Sequence, residues 1–399
     1  MAGVVIVGAG QASASLAARL RAKGYRSSIT ILGDEPIAPY QRPPLSKAYL
    51  LGEMTVERLM LRAESYWAEQ NIALHANTPV LAINRDEKTI HTTTETFSYE
   101  HLVLATGAVP RRLPSAIGGT LAGVFYVRTL ADVDAMAPAL RRAKTLVVIG
   151  GGYIGLEAAA VARKLGLNVA LIEAEPRILS RVACAETADA VRSLHKAHGV
   201  ELLEGVRVNR IGGKEHVTHV ELSSGRTLPA QVAIIGIGVE PATALAQKAG
   251  LEIQNGVAVN AFGQTSDPAI WAAGDCASFP DAGGRLRLES VGNAIDMAEC
   301  VADNILGAGR LYQPKPWFWS DQFDAKLQIA GLNTGYTEVI ARHSEGLSFW
   351  YYRNETLLAV DALNAPRAYM IGKRLIEAGR SPDKSAISDP KTDLKELLG

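Results

Sequence analysis

At 399 residues the chain exceeds one ordinary domain, and with 48% hydrophobic residues it can bury more than one core, so two or three domains are expected. Lys+Arg and Asp+Glu both total 41, a balance that leaves no basic footprint for nucleic acid. No segment stays apolar and uncharged for the length a bilayer needs, and no signal-type leader precedes the strand near Val4, so a soluble, cytoplasmic protein without a membrane partner is expected.

In chain order, the apolar run Val4-Val5-Ile6-Val7 closes on Gly8-Ala9-Gly10, and a helix is predicted from Ala12 to Lys23. A strand from Ser28 to Leu32 follows and ends at Gly33-Asp34-Glu35. A further strand, from His101 through Ala105 and Thr106, runs into Gly107. The same pattern then recurs. Leu146-Val147-Val148-Ile149 closes on Gly150-Gly151-Gly152, a helix is predicted from Tyr153 to Lys164, and a strand from Asn168 to Ile172 ends at Glu173. Gln231 to Gly236 is the counterpart of the strand that leads to Gly107. Strands alternating with helices imply βαβ units and a parallel sheet in each copy.

A glycine loop between strand and helix makes a tight turn, lets the backbone approach a pyrophosphate, and aims the free N–H groups of a helix N-terminus at negative charge. Two such loops in one chain indicate two bound dinucleotides. The second spacing, Gly150-x-Gly152-x-x-Gly155, is complete; in the first, the third glycine position holds Ser13. Glu173 follows Gly150 at the spacing of a group that bonds the adenine-ribose hydroxyls. A carboxylate there accepts from a 2′-OH and repels a 2′-phosphate, which favours NADH over NADPH, although Arg177 and Arg181 lie nearby. Asp34 or Glu35 takes the equivalent place in the first unit. Nicotinamide-dinucleotide contacts are therefore expected from Gly150, Gly152, Tyr153, Ile154, Gly155, Glu157, Glu173 and Gly236. Glu157 lies two residues past Gly155, about 200° around the helix, which turns it away from the packing glycine and toward the nicotinamide side.

Between the two units, Thr129-x-x-Asp132 is a helix-start box. After Pro241 the chain runs to Ile270-Trp-Ala-Ala and the turn Gly274-Asp275, then to a helix from Asn293 to Leu306. This segment is expected to return to the first domain and make it discontinuous. Beyond Pro314, strands are predicted at Pro316 to Trp319, Leu327 to Ala330, Phe349 to Tyr352 and Leu357 to Val360, with a helix from Ala365 to Ala378. The polar tail after Ser381 is expected to be mobile. The reading is an α/β chain with a first dinucleotide domain over 1–109 and 242–314, a second over 110–241, and a small α+β domain over 315–399.

Cys184, Cys276 and Cys300 are the three cysteines, and no C-x-x-C or C-x4-C pair occurs, so no zinc site and no local redox disulfide is expected. No metal site is expected elsewhere.

Set beside both glycine loops, Leu104-Ala-Thr-Gly107 and Ala272-Ala-Gly-Asp275, the segment Pro39-Tyr-Gln-Arg42-Pro-Pro-Leu-Ser46-Lys47 resembles the ferredoxin reductases of the pyridine-nucleotide-disulfide-oxidoreductase-like superfamily, of the putidaredoxin-reductase type. The resemblance extends to Trp317-Phe-Trp319-Ser-Asp-Gln322 and covers nearly the whole chain. It implies a glutathione-reductase-like fold with FAD in the first domain and NADH in the second. It also implies FAD contacts from Gly8, Gly10, Ala12, Asp34, Glu35, Arg42, Lys47, Val80, Ala105, Thr106, Gly107, Arg128, Asp275 and Val291. Lys47 would lie near flavin N5 with Glu157 as a positioning group, making these two the catalytic pair, and Trp319 would lie at the flavin edge.

Cysteine placement sorts the relatives of that fold. Disulfide reductases carry a redox pair in the first domain, and this chain has no cysteine before Cys184. The peroxidases and oxidases use one in the region Pro36 to Gly52, where none occurs here. Direct transfer from flavin to a partner is what remains, and the resemblance implies that the partner is a [2Fe–2S] ferredoxin serving a cytochrome P450 or a ring-hydroxylating oxygenase. Rubredoxin or quinone reduction, or an apoptosis-inducing-factor-like NADH-sensing role, are the alternatives. Arg111, Arg112, Arg285, Arg287 and Arg310 are candidates to meet an acidic ferredoxin.

Overall fold

The computed structural model describes residues 2–281 and 283–398. The chain divides into two compact units, one made of Met1–Gln41, Val56–Val109 and Val239–Pro316, the other of Arg42–Thr55, Pro110–Gly238 and Trp317–Gly399.

In the first unit the parallel strands run in the order Ile72–His75, Ile29–Leu32, Gly3–Val7, Thr96–Leu104, and the late strand Ile270–Ala272 pairs in parallel with Thr96–Leu104. Val4, Ile6, Ile31, Leu102 and Ile270 are wholly buried, as expected for parallel strands covered on both faces. The helix Gln11–Ala22 packs on the helix Val291–Ile305, with Arg19 gripping Asp303 through two hydrogen bonds of 2.8 and 2.9 Å. A segment more than two hundred residues downstream thus supplies a strand and a covering helix to the sheet begun at Gly3.

The second unit repeats the plan. Its parallel sheet runs Val200–Glu204, Asn168–Glu173, Thr145–Ile149, Val232–Ile235, Val124–Tyr126. The helix Tyr153–Lys164 has the bounds that the sequence predicts. Thr129 caps the helix Leu130–Arg142 with the reciprocal Thr129–Asp132 bonds of a capping box. The same unit holds an antiparallel five-stranded sheet in the order Trp317–Gln322, Ala325–Gly331, Thr356–Leu363, Leu347–Arg353, Glu338–His343. The helix Pro366–Glu377 closes it, its Leu375 packing in one core with Trp350 and Val360 of the sheet, all wholly buried. The architecture is therefore α/β, with two Rossmann-like parallel sheets and an α+β C-terminal part.

The tail after Ser381 departs from expectation. Its residues are held rather than loose. The buried Arg342 guanidinium donates to four of its carbonyls, those of Ile387, Asp389, Pro390 and Thr392. Ile387 and Leu394 are buried beneath them. The polar residues that suggest mobility alternate with two apolar anchors. Among the described residues no helix is long and apolar enough to cross a membrane.

Candidate functional site

The two glycine loops share their construction at the first and middle glycines. Gly8 and Gly150 lie at φ +105° and +110°, and a Cβ on either would meet the opposing carbonyl of Ala105 or Gly236 at 2.3 or 2.2 Å. Only glycine fits there. The third position differs. A Cβ on Gly155 would meet Gly150 O at 2.0 Å. Ser13 in the first loop instead turns its hydroxyl onto Gly8 O, so the substitution is accommodated as a hydrogen bond rather than a clash.

The middle glycines carry the functional signal. A Cβ on Gly10 or Gly152 would meet nothing within 4 Å. Both residues have extended backbone that any residue adopts, so packing within the chain does not require glycine at either position. Each is also the N-cap of a helix with no side-chain cap and no acidic residue in its first turn. The helices that begin after Thr129, Cys184 and Ser290 are all capped by a side chain. At the two glycine loops the first helix N–H groups have no side-chain cap, and the open space beside the middle glycine has room for a pyrophosphate. The residues present fit a dinucleotide in each unit.

At the end of the second strand of each unit the copies diverge. Glu173 Oε2 accepts from Gly151 N at 2.6 Å, and Oε1 accepts from Glu175 N at 2.8 Å. The carboxylate is thereby fixed at the glycine loop. Arg177 bonds the carbonyls of Ile178 and Ala183 in its own loop. In the first unit, the strand register pairs Leu32 with Val7 as Ile172 pairs with Ile149. The position matching Glu173 is therefore Gly33, where a Cβ would meet that of Ala9 at 2.6 Å. Asp34 and Glu35 follow one and two residues later. Asp34 is exposed and Glu35 accepts a 2.6 Å bond from the Tyr40 hydroxyl.

The other residues expected around FAD fall in both units. In the first, the Gly274-Asp275 turn lies so close to Ala12 that a Cβ on Gly274 would stand 3.2 Å from the Ala12 methyl. The same turn lies against Ala294, in the helix that starts at Val291. Thr106 Oγ1 donates to Ala242 O at 2.7 Å, beside Ala105 and Gly107, and Val80 packs against the core of this unit. Cys276, next to Asp275, is wholly buried with its thiol on Leu104 O and Ala273 O, and burial pushes its pKa up, which makes it an inert thiol. In the second unit, Arg42 Nη1 donates to Arg128 O at 2.8 Å.

Lys47, Glu157 and Trp319 come together in the second unit. Lys47 Nζ lies 2.9 Å from Glu157 Oε1 and 6.0 Å from the centre of the Trp319 ring. Ser46 Oγ donates to Glu157 Oε2 at 2.8 Å and Ser320 Oγ to Oε1 at 2.7 Å. Burial pushes the Glu157 carboxyl up from its ordinary value, while Lys47 and the two hydroxyls pull it back. The sequence reading missed Ser46 and Ser320. Each adjoins a residue it had singled out, Lys47 and Trp319, and each shares a strand or turn with that neighbour. Tyr153, at the start of the glycine-loop helix, stacks obliquely on Phe318 at 4.7 Å. Its neighbour Ile154 is 41% exposed, an apolar side chain at the mouth of the loop.

Residues 2–298 match the pyridine nucleotide-disulphide oxidoreductase family, and residues 317–398 match the reductase C-terminal family. The chain belongs to the ferredoxin/rubredoxin reductases of that superfamily. It is 41% identical over 404 residues to a ferredoxin–NAD(P)(+) reductase from Sphingomonas sp, covering 99% of this chain and 97% of the relative. The fold matches putidaredoxin reductase in its covalent complex with putidaredoxin, with a TM-score of 0.96 and 39% identity over 100% of this chain and 98% of the other. It matches equally the ferredoxin reductase for the CYP199A2 system from Rhodopseudomonas palustris, with a TM-score of 0.96 and 38% identity over 100% of both chains. The protein is thus an oxidoreductase of a family that binds FAD and NAD(H).

Proposed function

We propose that this protein is an FAD-containing, NADH-dependent reductase that passes electrons to a [2Fe–2S] ferredoxin, which supplies a cytochrome P450 or a ring-hydroxylating oxygenase. The observation that carries the reading is the pair of glycine-loop helices, one in each unit, that start without a side-chain cap beside a middle glycine with open space around it. The names of the similar proteins, a ferredoxin reductase and a reductase held with its iron–sulfur partner, support the partner class. We take 1–109 with 242–314 as the FAD domain, 110–241 as the NAD domain and 315–399 as the C-terminal domain of a glutathione-reductase-like arrangement.

In this reading Gly8, Gly10 and the first turn of the helix Gln11–Ala22 hold the FAD pyrophosphate, and Asp275 bonds the ribityl chain. Gly150, Gly152 and Glu173 hold the NADH. Bound FAD supplies hydride acceptance from NADH and release of electrons one at a time. Lys47 and Glu157 orient the reacting edge, and Trp319 shields it from water. No residue of the chain needs to act as acid or base in that transfer.

The test is NADH-driven cytochrome c reduction with and without an added bacterial [2Fe–2S] ferredoxin from a P450 system. A large ferredoxin-dependent rate is expected. Rapid bleaching of the flavin by NADH with no ferredoxin effect across several such partners would move the function to rubredoxin or quinone reduction. A long-lived charge-transfer complex with slow turnover on every acceptor would move it to an NADH-sensing role.

A further inference from the structure

Three buried side chains beyond Glu157 form a line that the proposed chemistry does not use. Ser320 Oγ donates to Glu157 Oε1 at 2.7 Å, Gln322 Nε2 donates to Ser320 Oγ at 3.0 Å, and His195 Nε2 lies 2.8 Å from Gln322 Oε1. The four residues are 4%, 0%, 3% and 0% exposed in the order Glu157, Ser320, Gln322, His195, so water does not compete for these bonds. An amide oxygen only accepts, so His195 presents Nε2–H and its Nδ1 carries no proton. That Nδ1 is buried without a partner, a position that only a neutral ring tolerates. Every link therefore donates in one direction, and the line ends on the carboxylate. Aligned donors in a dry interior polarise one another, so the last donor, Ser320, is a stronger one than an isolated serine.

The far end of the line is fastened. The turn between the strands Trp317–Gln322 and Ala325–Gly331 holds Phe323 at φ +57°, a conformation that a bulky side chain keeps only when its surroundings impose it. Here the surroundings are His195 in the helix Ala185–Ala197 and His198, its C-cap. His198 stacks on the Phe323 ring at 3.9 Å and His195 meets its edge at 5.0 Å, while Lys164 Nζ donates to Phe323 O at 3.2 Å. The helix Ala185–Ala197 thus grips the tip of the hairpin whose first strand carries Trp319 and Ser320.

We infer that His195 and Gln322 are positioning residues for the Lys47–Glu157 pair, holding Ser320 as a donor and thereby keeping Glu157 charged and in one rotamer. This rests on the reading of that pair as part of the hydride-transfer site. The groups that face Glu157 are few. The segment Pro43–Ser46 with Lys47 contributes the ammonium and the Ser46 hydroxyl; the strand Trp317–Gln322 contributes Ser320, with Asp321 on its exposed side. Thr145–Ile149 and Val232–Ile235 present apolar residues, and Glu173 on Asn168–Glu173 is committed to the backbone of Gly151 and Glu175. On its own helix the Tyr153 hydroxyl, one turn before Glu157, is buried and keeps its proton because burial pushes its pKa well up, and the charged residues Arg163 and Lys164 stand at the opposite end.

The test reads Glu157 directly in the FAD-loaded protein labelled with 13C at glutamate side-chain carboxyls, its resonance being the one missing from Glu157→Gln. Ser320→Ala is expected to raise the Glu157 titration midpoint by about one pH unit, Gln322→Leu and His195→Leu by about half as much, and Ser320→Thr to restore it. His195→Asn, which keeps an N–H donor, is expected to stay closer to the unaltered protein than His195→Leu. The acid limb of NADH-driven flavin reduction is expected to move by the same interval. An unmoved Glu157 midpoint in folded Gln322→Leu or His195→Leu overturns the inference. If Glu157→Gln reduces its flavin as fast as the unaltered protein, Glu157 falls out of the hydride-transfer site, while the carboxyl titration still decides whether the line reaches it.

Discussion

Lys47 and Glu157 meet at 2.9 Å with the ammonium side chain 17% exposed and the carboxylate 5%. A pair this buried is worth little net, but removing one partner strands the other's charge. Lys47→Met is therefore expected to cost about 3 kcal/mol at pH 8. Without the ammonium, burial holds the folded Glu157 pKa above its unfolded value, so stability is regained as pH falls and lost as pH rises. Urea denaturation at pH 5.5 and 8 checks this; an equal loss at both would show that Glu157 is not the charge left behind. Flavin reduction by NADH is expected to slow in the same variant.

The glycines of the second loop separate folding from binding. Gly155→Ala places a methyl 2.0 Å from Gly150 O and is expected to destabilise the protein by about 2 kcal/mol or more. Gly152→Ala meets nothing within 4 Å. It is expected to change stability by less than about 1 kcal/mol while raising the KM for NADH at least about tenfold, through the methyl that fills the space beside the helix N–H groups. Thermal melts and steady-state kinetics on the two variants suffice. A Gly152→Ala protein with an unaltered KM would mean that NADH does not bind at this loop.

Glu173 is held at the glycine loop by two backbone N–H groups. Glu173→Ala is expected to narrow the ratio of kcat/KM for NADH over NADPH by about tenfold, chiefly by relieving repulsion of a 2′-phosphate. If both values fall together and the ratio holds, the carboxylate shapes the loop and does not select the nucleotide.

Two buried groups pull the acid stability in opposite directions. Burial lowers the His195 pKa to about 4 and raises that of Asp361 to about 6. Unfolded histidine takes a proton near 6.5, so His195 costs stability as pH falls from 6.5 to 4, by about 3 kcal/mol. Asp361, bonded to Thr187 and Tyr351, takes its proton in the folded state first and returns a similar amount as pH falls from about 6 to 3.8. The unaltered protein is therefore expected to show a shallow profile between pH 6.5 and 4. His195→Gln should gain stability relative to it on acidification, and Asp361→Asn should lose it. Denaturation midpoints at pH 7 and 5 that move in parallel for both variants would refute the opposition.

The elements legible in the sequence were those set by short-range signals. Strand, glycine and helix alternate twice, and the Thr129–Asp132 box lies where the helix Leu130–Arg142 begins. What escaped depends on register or on long-range contact. No local pattern says that Gly33, rather than Asp34, stands opposite the loop; that follows from how Leu32 pairs with Val7. Ser46 and Ser320 are ordinary residues until the fold brings segments 111 and 163 positions away to one carboxylate. The tail read as loose because its anchor, Arg342, lies 45 to 50 residues upstream in the strand Glu338–His343.

The uncapped starts of the two glycine-loop helices have a consequence for the life of the chain in a cell. Each dinucleotide that satisfies those N–H groups adds to the stability of the folded form by mass action, about 2.7 kcal/mol at one hundred times its Kd. A copy that has found no flavin is accordingly the weaker one, opened more often and degraded sooner.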